Sequence, residues 1–529
     1  MRTIYRVGEL LVLLLALLNS ALYCCLLPLW EGFDEPFHYG YVESISVHRQ
    51  IPVLGQTTVS EEVRASLALA PISFILKRNI PGTIAFEDWF SLSRAEQAKR
   101  IEQLRAISPE ERQLPSPLLN YEAQQAPLAY LLLAPIDATL SGFALPTRIL
   151  ILRLLLSLGA TILIFWGCCR LCDGLELHGP FRIVMLAVFF KTQIFEAAIA
   201  HVANDWLSIT AAVWFFAATA SLVKHHRTRD ALLLAVVTAG GLLSKAYFLA
   251  FVPIFAAVLL YEKSRSRLSA KAVAASVLVA SLLAGPWYLR NLLVYKTLAD
   301  MQESVRGVSS PDAFYAFHHI PWGRALLDSA RWSLWTGNES HLSFSQSTLT
   351  MELLLWLAAL GLFAVQIRKM RAAEVWTLLA TLLFAAALLY DLCVTWVDTH
   401  GLQATTGPYY APCILPAILA LACLGLQRSG AMGRILAMAI GLVAAWIAAL
   451  TYMAKLVPYY SGFLGRSTAV ALWNWWTQGG GYATLSVTAI APVGVVYLLL
   501  VCFFAVLVLS TVRMALMLKS APAYRDPFI

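Results

Sequence analysis

The chain alternates between long apolar runs and short polar connections. About twelve runs of roughly 17 to 25 apolar residues are long enough to be transmembrane helices. They lie near residues 7–29, 147–169, 181–200, 205–223, 230–244, 246–261, 269–286, 350–367, 373–396, 408–427, 434–453 and 490–513. One further apolar piece, residues 127–142, is short and contains Pro127, Pro135 and Asp137. The pattern predicts an all-α polytopic membrane protein with about twelve transmembrane helices.

The composition supports this class. Of the 529 residues, 59% are hydrophobic and 13% are charged, whereas a soluble domain is roughly half apolar and about a quarter charged. The mean hydropathy is +0.68. The net charge of +8 is modest, and the Lys and Arg residues lie in short loops, so we interpret the charge as a signal for orientation. No nucleic-acid partner is predicted.

Positive charge predicts which loops are cytoplasmic. The clusters are KHHRTR at 224–229, KSRSR at 263–267 and RKMR at 368–371. Both termini are then cytoplasmic, and residues 127–142 form a re-entrant or interfacial helix. Three larger segments face the outside: residues 30–145, with short juxtamembrane helices, residues 287–349 and residues 454–489. We expect a bacterial inner membrane, with these segments in the periplasm or exterior; an endoplasmic-reticulum membrane stays open.

This topology brings ionisable residues from distant positions to the outer face. They are Asp34 and Glu35 after the first run, Arg148 and Arg153 in the second, Asp205, Lys245 and Arg290. An ionisable group at the edge of the hydrocarbon is costly unless it is paired, so each is a functional hypothesis.

Asp34 is the first candidate for chemistry. If the chain becomes helical after Pro36, then Asp34, His38 and Tyr41 share one helix face. The carboxylate could act as a general base or bind a divalent ion, with His38 beside it. The alternative is a solvated helix start, where the helix dipole favours acids.

Each of the other candidates also has a structural explanation. Asp205 suits the first turn of a helix. Lys245 could reach toward lipid headgroups, or could meet a lipid phosphate as a point charge. Arg290 follows Trp287 and Tyr288, so it could anchor the helix at the interface or hold phosphate oxygens through two hydrogen bonds.

The order of several motifs resembles the GT-C superfamily of integral-membrane glycosyltransferases, and within it the glycosyltransferase family 39 type, which includes protein mannosyltransferases and aminoarabinose transferases. The motifs are FDEPFHYGY at 33–41, YEAQQAPLAYLLLAP at 121–135, LRLLLSLGA at 152–160, HVANDWLSI at 201–209, GGLLSKAYFLAFVP at 240–253 and GPWYLRNLLVYKT at 285–297. The resemblance covers about residues 1–300. The chain departs from the family at 407–412, where it has GPYYAP and many relatives have GRYLLP.

The resemblance implies a catalytic membrane module at residues 1–300 and a variable membrane region at residues 301–529. It implies a polyprenyl-phosphate sugar donor, a lipid, glycan or protein acceptor outside the cytoplasm, and contact with membrane lipids. Residue by residue, Asp34 and Glu35 correspond to the catalytic acid of the first loop and its neighbour, and both are expected to be catalytic.

The same resemblance gives roles to the remaining candidates. Asp205 corresponds to the acid of a second loop. Lys245 and Arg290 correspond to cations near the donor phosphate, and Arg153 corresponds to the arginine that opens the second membrane run and would bind the phosphate with them. His38 and Tyr41, from their place on the helix face of Asp34, would support the site. A divalent cation, Mg²⁺ or Mn²⁺, held between Asp34 and Asp205 is an open alternative to base catalysis by Asp34 alone. A single displacement would invert the anomeric centre.

Two other functions compete with glycosyl transfer. A transporter or lipid flippase would also place charges inside a helical bundle, but transporters usually show repeated halves and binding sites at the membrane midplane. This sequence shows no obvious repeat, and its charges collect at one face. A scaffold that has lost catalysis is the third hypothesis, and the presence of Asp34, Glu35, Asp205 and Arg290 argues against it.

Overall fold

The computed structural model describes residues 2–299, 308–464, 468–479 and 481–520. In the first part of the chain the α-helices are α1 (Arg2–Leu26), α2 (Glu35–Ser46), α3 (Glu61–Leu69), α4 (Phe74–Asn79), α5 (Phe86–Trp89), α6 (Arg94–Arg105), α7 (Leu128–Thr139), α8 (Leu145–Leu175), α9 (Gly179–Phe189), α10 (Gln193–Ile199), α11 (Asp205–His225), α12 (Thr228–Leu242), α13 (Val252–Ser264) and α14 (Ala270–Val294).

The remaining α-helices are α15 (Ser310–His319), α16 (Trp322–Leu334), α17 (Gln346–Val365), α18 (Ala372–Asp398), α19 (Leu415–Arg428), α20 (Gly430–Leu450), α21 (Val457–Tyr460), α22 (Ala469–Thr477), α23 (Tyr482–Leu485) and α24 (Val493–Lys519). Short 3₁₀ segments are Pro109–Gln113, Tyr121–Gln124, Ala246–Phe251, Ile367–Lys369 and Pro408–Cys413, and Thr451–Leu456 is a π-helix. The predicted domain boundary near residue 300 lies outside the described residues.

The predicted class, an all-α polytopic membrane protein, is confirmed. Within the described ranges, nine helical segments are long and apolar enough to cross a membrane, and three apolar helices are shorter: Leu128–Thr139, Gly179–Phe189 and Leu415–Arg428. The predicted run at 181–200 is interrupted because α9 ends at Phe189 and α10 begins at Gln193. The run at 408–427 starts with a 3₁₀ turn that contains Pro408 and Pro412, where proline cannot donate a helical hydrogen bond.

The long loop after α1 contains short helices, as predicted, and also short strands, which were not predicted. Four strands, β1 (Thr58–Ser60), β2 (Pro71–Ile72), β3 (Ile84–Ala85) and β4 (Pro115–Leu119), pair as antiparallel β1–β4 and parallel β2–β3. Serine hydroxyls at Ser60, Ser73 and Ser93 accept from the backbone N–H three residues later and so begin α3, α4 and α6.

A buried ionic network joins this loop to α7. Asp137 is fully buried and accepts from Tyr39 at 3.0 Å and from Ser46 at 2.6 Å. It also pairs with Arg112, which reaches Glu43 at 3.2 Å. Twelve residues of α7 span only about 18 Å, which is less than the hydrocarbon thickness. The network therefore explains how an apolar helix with an acid in it is held against the loop, as the re-entrant or interfacial prediction requires.

Candidate active site

Asp34 lies in the tight connection between α1 and α2. Its φ of 52° is in the left-handed region, which costs a non-glycine residue about 1–3 kcal/mol and is tolerated best by Asn and Asp. Its backbone N–H donates to Oε2 of Glu339 at 3.3 Å, and its side chain accepts a hydrogen bond from the hydroxyl of Tyr121. The backbone is thus strained at Asp34, the first candidate for chemistry in the sequence. Contacts from two distant segments, at Tyr121 and Glu339, hold it in that conformation.

Three carboxyl groups form an acid cluster: Asp34, Glu122 and Glu339. Burial raises the pKa of Asp34; the Tyr121 hydrogen bond and the charge of Lys245 act to lower it. Burial, reinforced by the charge of Asp34, raises the pKa of Glu122 to about 8. The pKa of Glu339 is raised well above its usual range for the same two reasons. Neighbouring acids in a buried site cannot all ionise, so the three carboxyl groups are not all charged at once.

A buried ion pair lies beside the acid cluster. Nζ of Lys245 is 2.6 Å from Oδ1 of Asp205, and the two side chains are 8% and 3% exposed. The ammonium also lies over the ring of Tyr409, 5.1 Å from its centroid, and 5.8 Å from that of Tyr410. Asn204 donates to the carbonyl of Ser244 at 2.8 Å. That bond joins the residue before Asp205, which begins α11, to the residue before Lys245.

Glu35 and Arg153 are placed differently from the prediction. Both are fully buried and form a two-point ion pair, with Arg153 Nε 2.7 Å from Glu35 Oε1. Arg153 also donates to the carbonyls of Leu27 and Pro28, each at 2.9 Å. Burial acts to raise the pKa of Glu35, but Arg153 lowers it overall. In this geometry Glu35 is not a free acid or base and Arg153 is not free to bind a phosphate; together they fasten α8 to the end of α1.

The side chains of His38 and Tyr41 contact Tyr130 of α7, whereas His38 meets Asp34 only through the backbone, where its N–H donates to the Asp34 carbonyl at 3.1 Å. His38 Nδ1 is 2.8 Å from the hydroxyl of Tyr130 and 3.6 Å from Glu122, and Tyr41 stacks on Tyr130 with 3.9 Å between centroids. Burial, and next the charge of Lys245, lowers the pKa of His38 well below its usual range. His38 is therefore neutral, and it supports Glu122 more directly than Asp34.

Arg290 lies toward the chain that follows α2. Its guanidinium is half-buried, covers the ring of Trp287 at 4.8 Å and donates to the carbonyl of Pro52 at a long 3.3 Å. Burial raises the pKa of Tyr41, and the positive charge of Arg290 acts to lower it. These contacts are weak, so Arg290 keeps hydrogen-bonding capacity for a ligand, whereas Arg153 does not.

An apolar cavity of about 350 Å³ opens beside the ion pair. Its lining comes mainly from the 3₁₀ segment after Lys245 and from α18: Ala246, Tyr247, Leu249, Ala250, Phe384, Ala387, Leu388 and Val394 belong to it, with Tyr410. The rings of Tyr247 and Tyr410 lie within 6 Å of the Lys245 ammonium. Two tyrosines of the mainly apolar lining thus lie close to the buried cation, and Asp391 of α18 also lines the cavity.

Asp34 and Asp205 are the residues that were predicted to hold a divalent cation. Within the parts of the chain that the structure describes, no group of three or more His, Cys, Asp and Glu side chains could hold a metal ion. Asp205 already pairs with the Lys245 ammonium, and Asp34 accepts from Tyr121. Mg²⁺ and Mn²⁺ need several oxygen ligands, so these residues do not fit such an ion, and the chemistry below uses none.

Sequence reasoning missed several residues of the site. Tyr121 and Glu122 were inside a quoted motif, YEAQQAP, but were given no role. Glu339 and Tyr409 come from after residue 300, where the resemblance ends. For Glu122 the available signal was an acidic residue inside a motif that carries the resemblance. No local pattern marked Glu339.

No protein-family model and no curated protein matches the sequence. Among solved structures, the chain is similar to the crystal structure of ArnT from Cupriavidus metallidurans bound to undecaprenyl phosphate, with 14% identity over 96% of this chain and 75% of that chain and a TM-score of 0.44. It is also similar to ArnT from Cupriavidus metallidurans in the apo state, with 12% identity, 90% and 73% coverage and a TM-score of 0.41. At this distance the functional assignment rests on the side chains described above.

Proposed function

We propose that this protein is an integral-membrane glycosyltransferase of the GT-C type. It moves a sugar from a polyprenyl-phosphate donor to a hydroxyl of a lipid, glycan or protein acceptor on the extracytoplasmic side. The observation that carries the proposal is the Lys245–Asp205 pair, whose ammonium lies near both the acid cluster and two tyrosines that line the apolar cavity. A donor with an apolar tail, a phosphate and a sugar needs those three environments close together.

Lys245 is the group that meets the donor phosphate. The ammonium is buried over the faces of Tyr409 and Tyr410, so its field is little screened by water. In the resting site Asp205 neutralises it. As negative charge grows on the leaving phosphate, Lys245 stabilises that charge, and Asp205 keeps the ammonium in place.

Asp34 is the general base. The acceptor oxygen attacks the anomeric carbon, the bond from that carbon to the phosphate oxygen breaks, and the electron pair leaves with the phosphate. The acceptor proton goes to Asp34. Burial raises the pKa of Asp34, which makes its carboxylate a stronger base than a solvated aspartate. One displacement through an oxocarbenium-like transition state inverts the anomeric centre.

The test is transfer of label from a panel of radiolabelled polyprenyl-phosphate sugars by purified protein in liposomes. Asp34→Asn is the informative variant because Asn tolerates the left-handed backbone and lacks only the basic oxygen. We expect wild type to move label to an acceptor or to water, and Asp34→Asn to be about 10²–10⁴-fold slower. Asp88→Asn, at an exposed acid of the same loop, is the matched control.

Two outcomes would contradict the proposal. If wild type turns over no donor in the panel but moves a lipid or solute across the liposome membrane, the protein is a transporter or flippase. If Asp34→Asn retains wild-type turnover, the base is wrongly assigned.

A further inference from the structure

His201 lies in the connection between α10 and α11, next to the proposed catalytic groups. Its side chain is fully buried. Neither ring nitrogen has a hydrogen-bond partner among the residues that the structure describes. Buried polar groups are nearly always satisfied in native proteins, and an exception calls for an explanation, such as a ligand.

The imidazole cannot turn away to find solvent. A Cβ on Gly32 would lie only 2.2 Å from Cβ of His201. The loop between α1 and α2 is therefore closely packed against the His201 side chain. The next residue, Val202, donates its N–H to Glu35 at 2.9 Å, and the ring of Phe33 lies edge-on at 6.0 Å. His201 is therefore fixed with its nitrogens unbonded.

The charged neighbours of His201 already have partners. The ring lies in the field of Glu35, Arg153, Asp205 and Lys245, and these four form the two ion pairs described above. Burial lowers the pKa of His201, so the ring is neutral. It then offers one N–H donor and one acceptor lone pair.

We propose that His201 hydrogen-bonds a hydroxyl of the donor's sugar, and so helps the site to distinguish a sugar-loaded polyprenyl phosphate from the bare lipid phosphate. This inference rests on the proposed function. A sugar hydroxyl both donates and accepts, which matches a neutral imidazole, whereas a phosphate can only accept and has Lys245 beside it. The ring nitrogens of His201 then find their partners in the sugar and not in the protein.

The experiment compares two ligands on purified protein in detergent: polyprenyl phosphate and the polyprenyl-phosphate sugar that wild type turns over. The variants are His201→Phe, which keeps a ring without nitrogens, and His201→Gln, whose amide can replace Nε2. We expect His201→Phe to bind the sugar-loaded donor about tenfold more weakly and polyprenyl phosphate as tightly as wild type does. His201→Gln should recover part of the difference. His318→Phe, at an exposed histidine, should change neither affinity.

The melting temperature distinguishes ligand binding from a structural role. Removing a buried polar group that has no partner should leave the melting temperature unchanged or raise it. An equal loss of affinity for both ligands, or a lowered melting temperature in both His201 variants, would overturn the inference. Wild type that binds neither ligand would instead contradict the proposed function itself.

Discussion

Lys245 and Asp205 form a buried ion pair between the connection after α12 and the first residue of α11, 40 residues apart in sequence, with 2.6 Å between Nζ and Oδ1. Taking two charges out of water is expensive, and such a pair contributes little net stability compared with apolar residues. Such a pair close to the tyrosines of an apolar cavity is understandable if the cation has a second role when a ligand arrives. The pair therefore allows stability and function to be separated experimentally.

Lys245→Met should remove both stability and transfer, because it leaves Asp205 buried without its cation. Breaking such a pair costs about 3–5 kcal/mol. Adding Asp205→Asn removes the stranded charge, so the double variant should regain most of the melting temperature but no transfer. Melting curves and donor turnover on the same preparations check this. A Lys245→Met protein that turns over donor at the wild-type rate would show that Lys245 does not act on the phosphate.

Glu35→Gln should damage folding far more than chemistry. The change leaves Arg153 buried without its carboxylate, and we expect a loss of about 3–5 kcal/mol. Molecules that still fold should turn over donor within about tenfold of wild type, that is, within about 1.4 kcal/mol in the barrier. Glu61→Gln, which removes a partly exposed pair with Arg64, is the control.

The measurement is folded yield by size-exclusion chromatography, followed by turnover per folded molecule. Stable Glu35→Gln protein with turnover as low as that of Asp34→Asn would make Glu35 a catalytic residue, as the sequence first indicated.

The apolar runs were sufficient to predict the fold class because a membrane-spanning helix must be apolar over most of its length. They were not sufficient to predict where an apolar run is interrupted between two helices. The run at 181–200 contains Lys191 and Gln193 at the point where α9 ends, and Lys191 donates to Thr511 of α24 at 3.0 Å. That partner lies 320 residues away, so its effect on the helix could not be read locally.

The sequence predicted which acidic and basic residues belong to the site. It did not predict which acid forms an ion pair with which base. Topology alone placed Asp34, Glu35, Arg153, Asp205 and Lys245 at one face of the membrane. Which carboxylate meets which cation depends on how α8 packs against α1 and how α11, which begins at Asp205, packs against α12. That packing makes Glu35–Arg153 a structural pair and leaves Asp34 with a phenol instead of a cation.

Tyr121→Phe should shift the pH dependence of transfer to higher pH. The Tyr121 hydrogen bond acts to lower the pKa of Asp34, which burial raises overall. Without the phenol the pKa of Asp34 rises further. A general base works only when ionised, so the acid limb of kcat/KM should move upward in pH, starting from a wild-type limb that already lies above the ordinary aspartate value of about 3.9.

The profiles of wild type and Tyr121→Phe, recorded with the same donor, check the direction. Tyr482→Phe, at a half-exposed tyrosine, should leave the profile unchanged. An acid limb that stays in place or moves to lower pH would mean that Asp34 is not the group titrating in the reaction.

Ala387→Trp should block the apolar cavity and discriminate between donors by tail length. Ala387 is on the cavity wall and the neighbouring Ala386 is not, so Ala386→Trp adds the same ring to the same helix outside the cavity. An indole fills much of a space of about 350 Å³.

We expect KM for a long polyprenyl-phosphate sugar to rise at least about tenfold in Ala387→Trp and to stay near wild type in Ala386→Trp. A donor with a short tail should be affected less, because it loses less apolar burial. Equal KM values for wild type and Ala387→Trp with the long donor would show that the lipid tail follows another path, while leaving the assignment of Asp34 and Lys245 to be judged by their own variants.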